Sequence, residues 1–212
     1  MRRRDLLSLA LAGGFAPGLL AAPSARSLLE RFSRQAARAT GRFTQLMLDK
    51  SGAAREPESS GMFAFSRPGK FSWIVESPYR QSVISNGTRL WLYDPDLMQV
   101  TVKNLAGTFS AAPVAVLFGS ADLDKTLVLQ NEPKRDGLVW VKATPRQTDP
   151  SFAFISVGFT ESGELAKLEL TDHFAQKTVL TFSEIKLNGP IADDVFEFVI
   201  PKGVDVLEDR QN

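Results

Sequence analysis

The sequence predicts a mainly β protein with a few α-helices: one antiparallel meander of about eleven strands, curled into an incomplete barrel with a helical lid over a hydrophobic cavity. Three observations predict it. Short runs rich in Val, Ile, Phe, Trp and Thr recur from Phe43 to Leu187, their connections are of hairpin length, and helical periodicity is confined to three short stretches. A curved sheet must have its inner side filled, and only two short apolar helices are available, so they are expected to act as lid or plug. At 212 residues the chain is the size of one all-β domain with a substantial core.

In chain order, Arg2, Arg3 and Arg4 precede an apolar run from Leu6 to Leu20 and the small residues Ala21, Ala22, Ser24 and Ala25. This is the layout of an export signal, expected to span residues 1–25, with cleavage between Ala22 and Ala25 and the functional domain covering 26–212. Gly13, Gly14, Pro17 and Gly18 interrupt the run, which falls short of the roughly 20 apolar residues of a spanning helix. Arg3-Arg4-Asp5-Leu6-Leu7 also has the character of a twin-arginine signal, a different route to the same compartment.

Ser24 to Ala39 reads as an amphipathic helix, capped by Ser24 or Ser27, with Leu28, Leu29, Phe32 and Ala36 at three- and four-residue spacing. Phe43 to Asp49 reads as a strand and Ser51 to Ser60 as an exposed loop. Strands are then expected at 61–66, 70–76, 80–85, 89–93 and 99–104. Asn86-Gly87 marks a tight hairpin between two of them. Ala112 to Gly119 reads as a short apolar helix with Pro113 in its first turn and Gly119 as its stop; Ser120 to Lys125 begins or extends another helical piece. Strand patterns resume at 126–131, 138–144, 152–160, 165–172 and 178–187. Val195 to Phe198 is a last apolar piece, and Leu207 to Asn212 a polar tail.

The richest stretch runs from Met62 to Trp73. Phe63 and Phe65 share one face of a strand; after the turn Ser66-Arg67-Pro68-Gly69, residues Phe71, Trp73 and Val75 share another. The result is an apolar surface with one polar fastening, Arg67. Phe152 to Ile155 and Leu90 to Tyr93 are apolar on both faces, which fits an ordinary core or the wall of a ligand cavity.

Composition narrows the function. Removing Arg2, Arg3, Arg4 and Asp5 with the leader from 25 basic and 24 acidic residues leaves 22 and 23. There is no basic excess to draw nucleic acid or anionic lipid. Without cysteine the chain has no disulfide, thiolate nucleophile, zinc-thiolate site or lipid attachment through cysteine. His173 is the single histidine; its neighbour Asp172 would point to the opposite face of a strand, so the two are not a preformed acid–base couple. No phosphate loop, nucleophile elbow or metal-spaced cluster occurs, and Asp122, Asp124, Asp193 and Asp194 read as loop and helix-end charges. No enzyme, cofactor or metal is expected.

One resemblance covers nearly the whole chain beyond the leader. Arg67-Pro68-x-x-Phe71-x-Trp73, then Pro78, then Asn86-Gly87-x-x-Leu90-Trp91-x-Tyr93-Asp94 resembles the LolA family of periplasmic outer-membrane lipoprotein carriers. Gly41-Arg42-Phe43-Thr44-Gln45, Asp194-x-Phe196-x-Phe198 and Pro201-x-Gly203-Val204 extend the match. The resemblance implies an incomplete barrel with a helical lid, in which Arg67 bonds backbone groups of the lid and holds the empty cavity closed. It places Phe71 at a position tied to transfer, and makes Phe63, Phe65, Trp73 and Trp91, with Val116 and Leu117 of the short helix, candidates for the acyl-chain cavity or core. The implied partners are the acyl chains of lipoproteins, an inner-membrane lipoprotein-releasing ABC transporter and an outer-membrane lipoprotein receptor, met by a soluble periplasmic monomer. The absent cysteine excludes the receptor itself, which is a lipoprotein. The different-class alternative is a periplasmic sensor that binds lipid or lipoprotein and regulates a membrane partner.

Overall fold

In the computed structural model the described residues are 23–104, 123–148 and 152–208. Helix α1 (Ala25–Gln35) leads into a sheet of twelve strands. The first six are β1 (Arg38–Leu48), β2 (Ser59–Ser66), β3 (Lys70–Ser77), β4 (Gln81–Asn86), β5 (Arg89–Asp94) and β6 (Gln99–Asn104). A single turn of helix, α2 (Leu123–Thr126), leads into β7 (Leu127–Arg135), β8 (Leu138–Pro145), β9 (Phe154–Phe159), β10 (Leu165–Thr171) and β11 (Lys177–Leu187). A 3₁₀ turn at Asp193–Phe196 and the short β12 (Asp205–Glu208) are the last described elements.

Two meanders, β1 to β6 and β7 to β11, are joined where β1 pairs antiparallel with β11. Among the described residues the sheet does not close, and β7 and β12 are its edges. The Asn-Gly hairpin forms as expected: Gly87 takes φ +97°, and the Asn86 side-chain oxygen accepts from the Thr88 and Arg89 amides at 3.1 and 3.0 Å. Two expectations need correction. The tail from Leu207 is not all loop, because 205–208 pair parallel with β6; a four-residue edge strand whose partner lies far back in the chain leaves no periodic signal. The first helix stops at Gln35, short of Ala39. Ala36, Ala37 and Ala39 favour helix by propensity, yet the Asn188 side chain accepts from the amides of Ala37 and Arg38 at 3.0 and 3.3 Å and donates to the Gln35 carbonyl at 3.0 Å. Tertiary bonds thus draw the chain out of the helix into β1.

Register decides which residues face inward. Phe63 lies opposite Trp73 and Phe65 opposite Phe71, so the two aromatic sets expected on different faces share one, because the hairpin folds β3 back beside β2. That inner face continues through Phe43 and Ala39 on β1, Phe182 and Leu180 on β11 and Leu168 on β10. Helix α1 packs across β7, β8 and β9 and adds Leu28, Leu29 and Phe32 to the same buried cluster. Its start is capped as predicted, with the Ser27 amide donating to the Ser24 hydroxyl at 3.2 Å. A smaller cluster of Ile84, Trp91 and Val100 lies on the outer face, covered by Phe198 and Val204.

Candidate functional site: a fastened helix over an apolar face

The inner face is dense in aromatic rings. Phe43 stacks on Trp73 with centroids 3.6 Å apart, and Phe63 stands edge-on to Phe182 at 5.6 Å. Two glycines make this closeness possible. At Gly41 a Cβ would come within 2.7 Å of the Phe63 ring, and at Gly61 within 1.9 Å of the Ile74 carbonyl oxygen. Any side chain at either position would push rings or strands apart.

Arg67 sits in the turn joining β2 to β3 and reaches α1. Its guanidinium Nη1 donates to the Ser33 carbonyl, its amide donates to the Ala37 carbonyl at 2.9 Å, and its charge lies 5.6 Å from the centroid of the Phe65 ring. The last carbonyls of a helix have no partner within it and form the negative end of its dipole. A guanidinium suits that place because it is planar, rich in donors and always charged. Partial burial draws its pKa below the ordinary arginine value, the direction expected when a cation loses water. Between them Arg67 and Asn188 bind the end of α1, to Ser33 and to Gln35 respectively.

The expected site residues divide. Phe63, Phe65 and Trp73 are buried in the inner cluster, and Phe71 packs partly buried against it. Trp91 does not join them. Strand alternation turns it outward beside Ile84 and Val102, and its ring meets Phe198 at 6.4 Å, so it belongs to the outer cluster and cannot line the inner face. Val116 and Leu117 lie outside the described residues. Phe43 and Phe182 complete the ring array, and Asn188 the clamp, though the sequence names none of them as a site residue: Phe43 stands only in a strand pattern and in the Gly41 to Gln45 match, and Asn188-Gly189-Pro190 has the composition of an ordinary turn. Asp172 accepts from the Phe174 and Gln176 amides at 2.8 and 2.9 Å, which commits its carboxylate to shaping the turn that carries His173.

Comparison with known proteins agrees with this geometry. The family described as outer membrane lipoprotein carrier protein LolA matches residues 34–199. A protein of Cupriavidus taiwanensis named outer-membrane lipoprotein carrier protein is 43% identical over 211 residues, covering 98% of this chain and 100% of the relative. One of the same name from Bordetella avium is 42% identical and covers 91% of each. Among solved structures, an uncharacterised conserved protein of Thermus thermophilus shares the fold with TM-score 0.55 at 11% identity, over 87% of this chain and 98% of its own. A family match over residues 34–199 together with 43% identity over 98% of the chain leaves one assignment: this chain belongs to the LolA family of outer-membrane lipoprotein carriers.

Proposed function

We propose that this chain is a periplasmic chaperone that binds the acyl chains of lipoproteins released from the inner membrane and carries them to an outer-membrane acceptor, without covalent chemistry. The observation that carries the reading is the inner apolar face of Phe63, Phe65, Phe71 and Trp73, which continues beneath a helix whose end is tied down by Arg67. The names of its relatives support it. In this reading residues 1–25 are a leader removed on export, the donor is an inner-membrane lipoprotein-releasing ABC transporter, and the acceptor is an outer-membrane lipoprotein receptor.

Magnitudes require a shield and also limit it. Each CH₂ buried is worth about 0.8 kcal/mol, so one sixteen-carbon chain is worth on the order of 10 kcal/mol. A lipidated protein does not leave a membrane at that cost unless a comparable apolar surface receives it. Release then requires a cover whose open and closed states lie within about 5 kcal/mol. A few hydrogen bonds at the end of α1, each worth about 1.5–3 kcal/mol when one partner is charged, are of the right size for such a cover.

The test is release of a triacylated lipoprotein from inner-membrane vesicles that contain the transporter. With the purified chain, lipoprotein is expected in the soluble fraction as a one-to-one complex. If it stays in the membrane, the carrier reading fails and a lipid-binding sensor built on the same face takes its place.

A further inference from the structure

A second concave feature lies on the outer face, away from α1, with Phe63 and Gly41 of the inner-face set at its border. It is a groove of about 530 Å³ between β1 to β4 and the segment that follows β11. Its apolar lining comes from Met62, Ala64, Ile74 and Ile84 on the strands and from Ile191 and Val195 on the crossing segment. Met62 and Val195 are 41% and 37% exposed, so these two walls of the groove are open to solvent, while Ala64 and Ile84 form a buried floor.

The charges around this lining are unbalanced. Arg42, Lys186, Glu184, Asp194 and Glu197 all border the groove. Arg42 is taken by Glu76 at 2.8 Å, and Glu197 lies 3.4 Å from the amide of Asn86. The carboxylates of Glu184 and Asp194, like the ammonium of Lys186, have no hydrogen bond or ion pair among the described residues, so the acidic groups at the groove exceed its one uncommitted cation. Glu184 is also held at φ +53°, inside the bulge where β11 slips against Thr40 and Arg42 of β1. A bulge re-aims a side chain, and a left-handed glutamate is a conformation that a regular strand would avoid.

We propose that this outer groove docks an extended peptide segment of a partner protein, in which an apolar side chain is flanked by lysine or arginine. The apolar side chain covers Met62, Ile74 and Val195, while the flanking cations meet Glu184 and Asp194. A bare acyl chain would match the floor and leave both carboxylates unanswered, and an acidic segment would be repelled by them. Phe63 and Gly41 also border the groove, but the side chains the peptide covers, Met62, Ile74 and Val195, are not part of the inner aromatic array, so the site is tested separately from the carrier reading.

The experiment titrates three labelled pentapeptides into the intact chain by fluorescence anisotropy: leucine between two arginines, serine between two arginines, and leucine between two glutamates. Only the first is expected to bind, more weakly as salt rises. Reversing both carboxylates, Glu184→Lys with Asp194→Lys, should weaken it by about tenfold, and Met62→Asp, which acts on the apolar wall, should weaken it as well. Binding of a fluorescent fatty acid serves as the folding control and should stay unchanged in all variants. Equal binding of the glutamate peptide, indifference to the charge reversals in a folded variant, or no binding of the first peptide would overturn the proposal.

Discussion

Arg67 combines a burial cost with a specific reward. Its guanidinium gives up water, as its lowered pKa records, and gains a helix-end carbonyl at Ser33 that has no partner inside the helix. Replacing it with leucine keeps the apolar stem and removes the bond. A charged hydrogen bond is worth about 1.5–3 kcal/mol, so Arg67→Leu should speed amide exchange in the last turn of α1 by about tenfold or more in the empty form. We further expect the variant to retain cargo, because the closed empty state that competes with the loaded one has lost its bonds. Hydrogen exchange and transfer to an acceptor measure the two effects, and wild-type behaviour in both would remove the latch role. The sequence made Arg67 visible because a single arginine in the turn between two aromatic runs is conspicuous. Asn188 was not, since its three side-chain bonds to residues 35–38 depend on a meeting of distant segments that no local pattern announces.

Among the elements, the two faces of the same strands have different tasks. Ile84, Trp91 and Val100 on the outer face hold Phe198 and Val204, and so fasten the C-terminal segment to β4, β5 and β6. Trp91→Ala should cost about 3–5 kcal/mol of stability and open the chain to trypsin near Lys202, while binding of a fluorescent fatty acid changes little. Trp73→Ala removes the stacking partner of Phe43 and should lower both. Thermal unfolding, limited proteolysis and the fatty-acid titration separate these outcomes; a large loss of fatty-acid binding in a folded Trp91→Ala protein would contradict the assignment of faces. Alternation along each strand was legible in the sequence. Which face met the helix was not, because that depends on hairpin register: Phe65 opposite Phe71 puts both aromatic sets on one side.

At the scale of the whole molecule, the antiparallel meander could be read from turn chemistry and strand spacing because nearly every pairing is between neighbours in sequence. The exceptions escaped for one reason. β12 beside β6 and β1 beside β11 join segments far apart in the chain, and nothing within either segment names its partner. The second of these pairings sets an order of events during synthesis and export. Strand β1 is among the first parts of the domain to emerge, yet half of its hydrogen-bonding edge waits for residues 177–187. Distant pairing of this kind is slow to form. Chains truncated after Thr171 should therefore remain sensitive to protease, and chains that include Leu187 should gain a resistant core, as pulse proteolysis of a truncation series would show. A molecule proposed to shelter other proteins' greasy chains must first complete its own sheet, and until its last third arrives its aromatic face is itself in need of shelter.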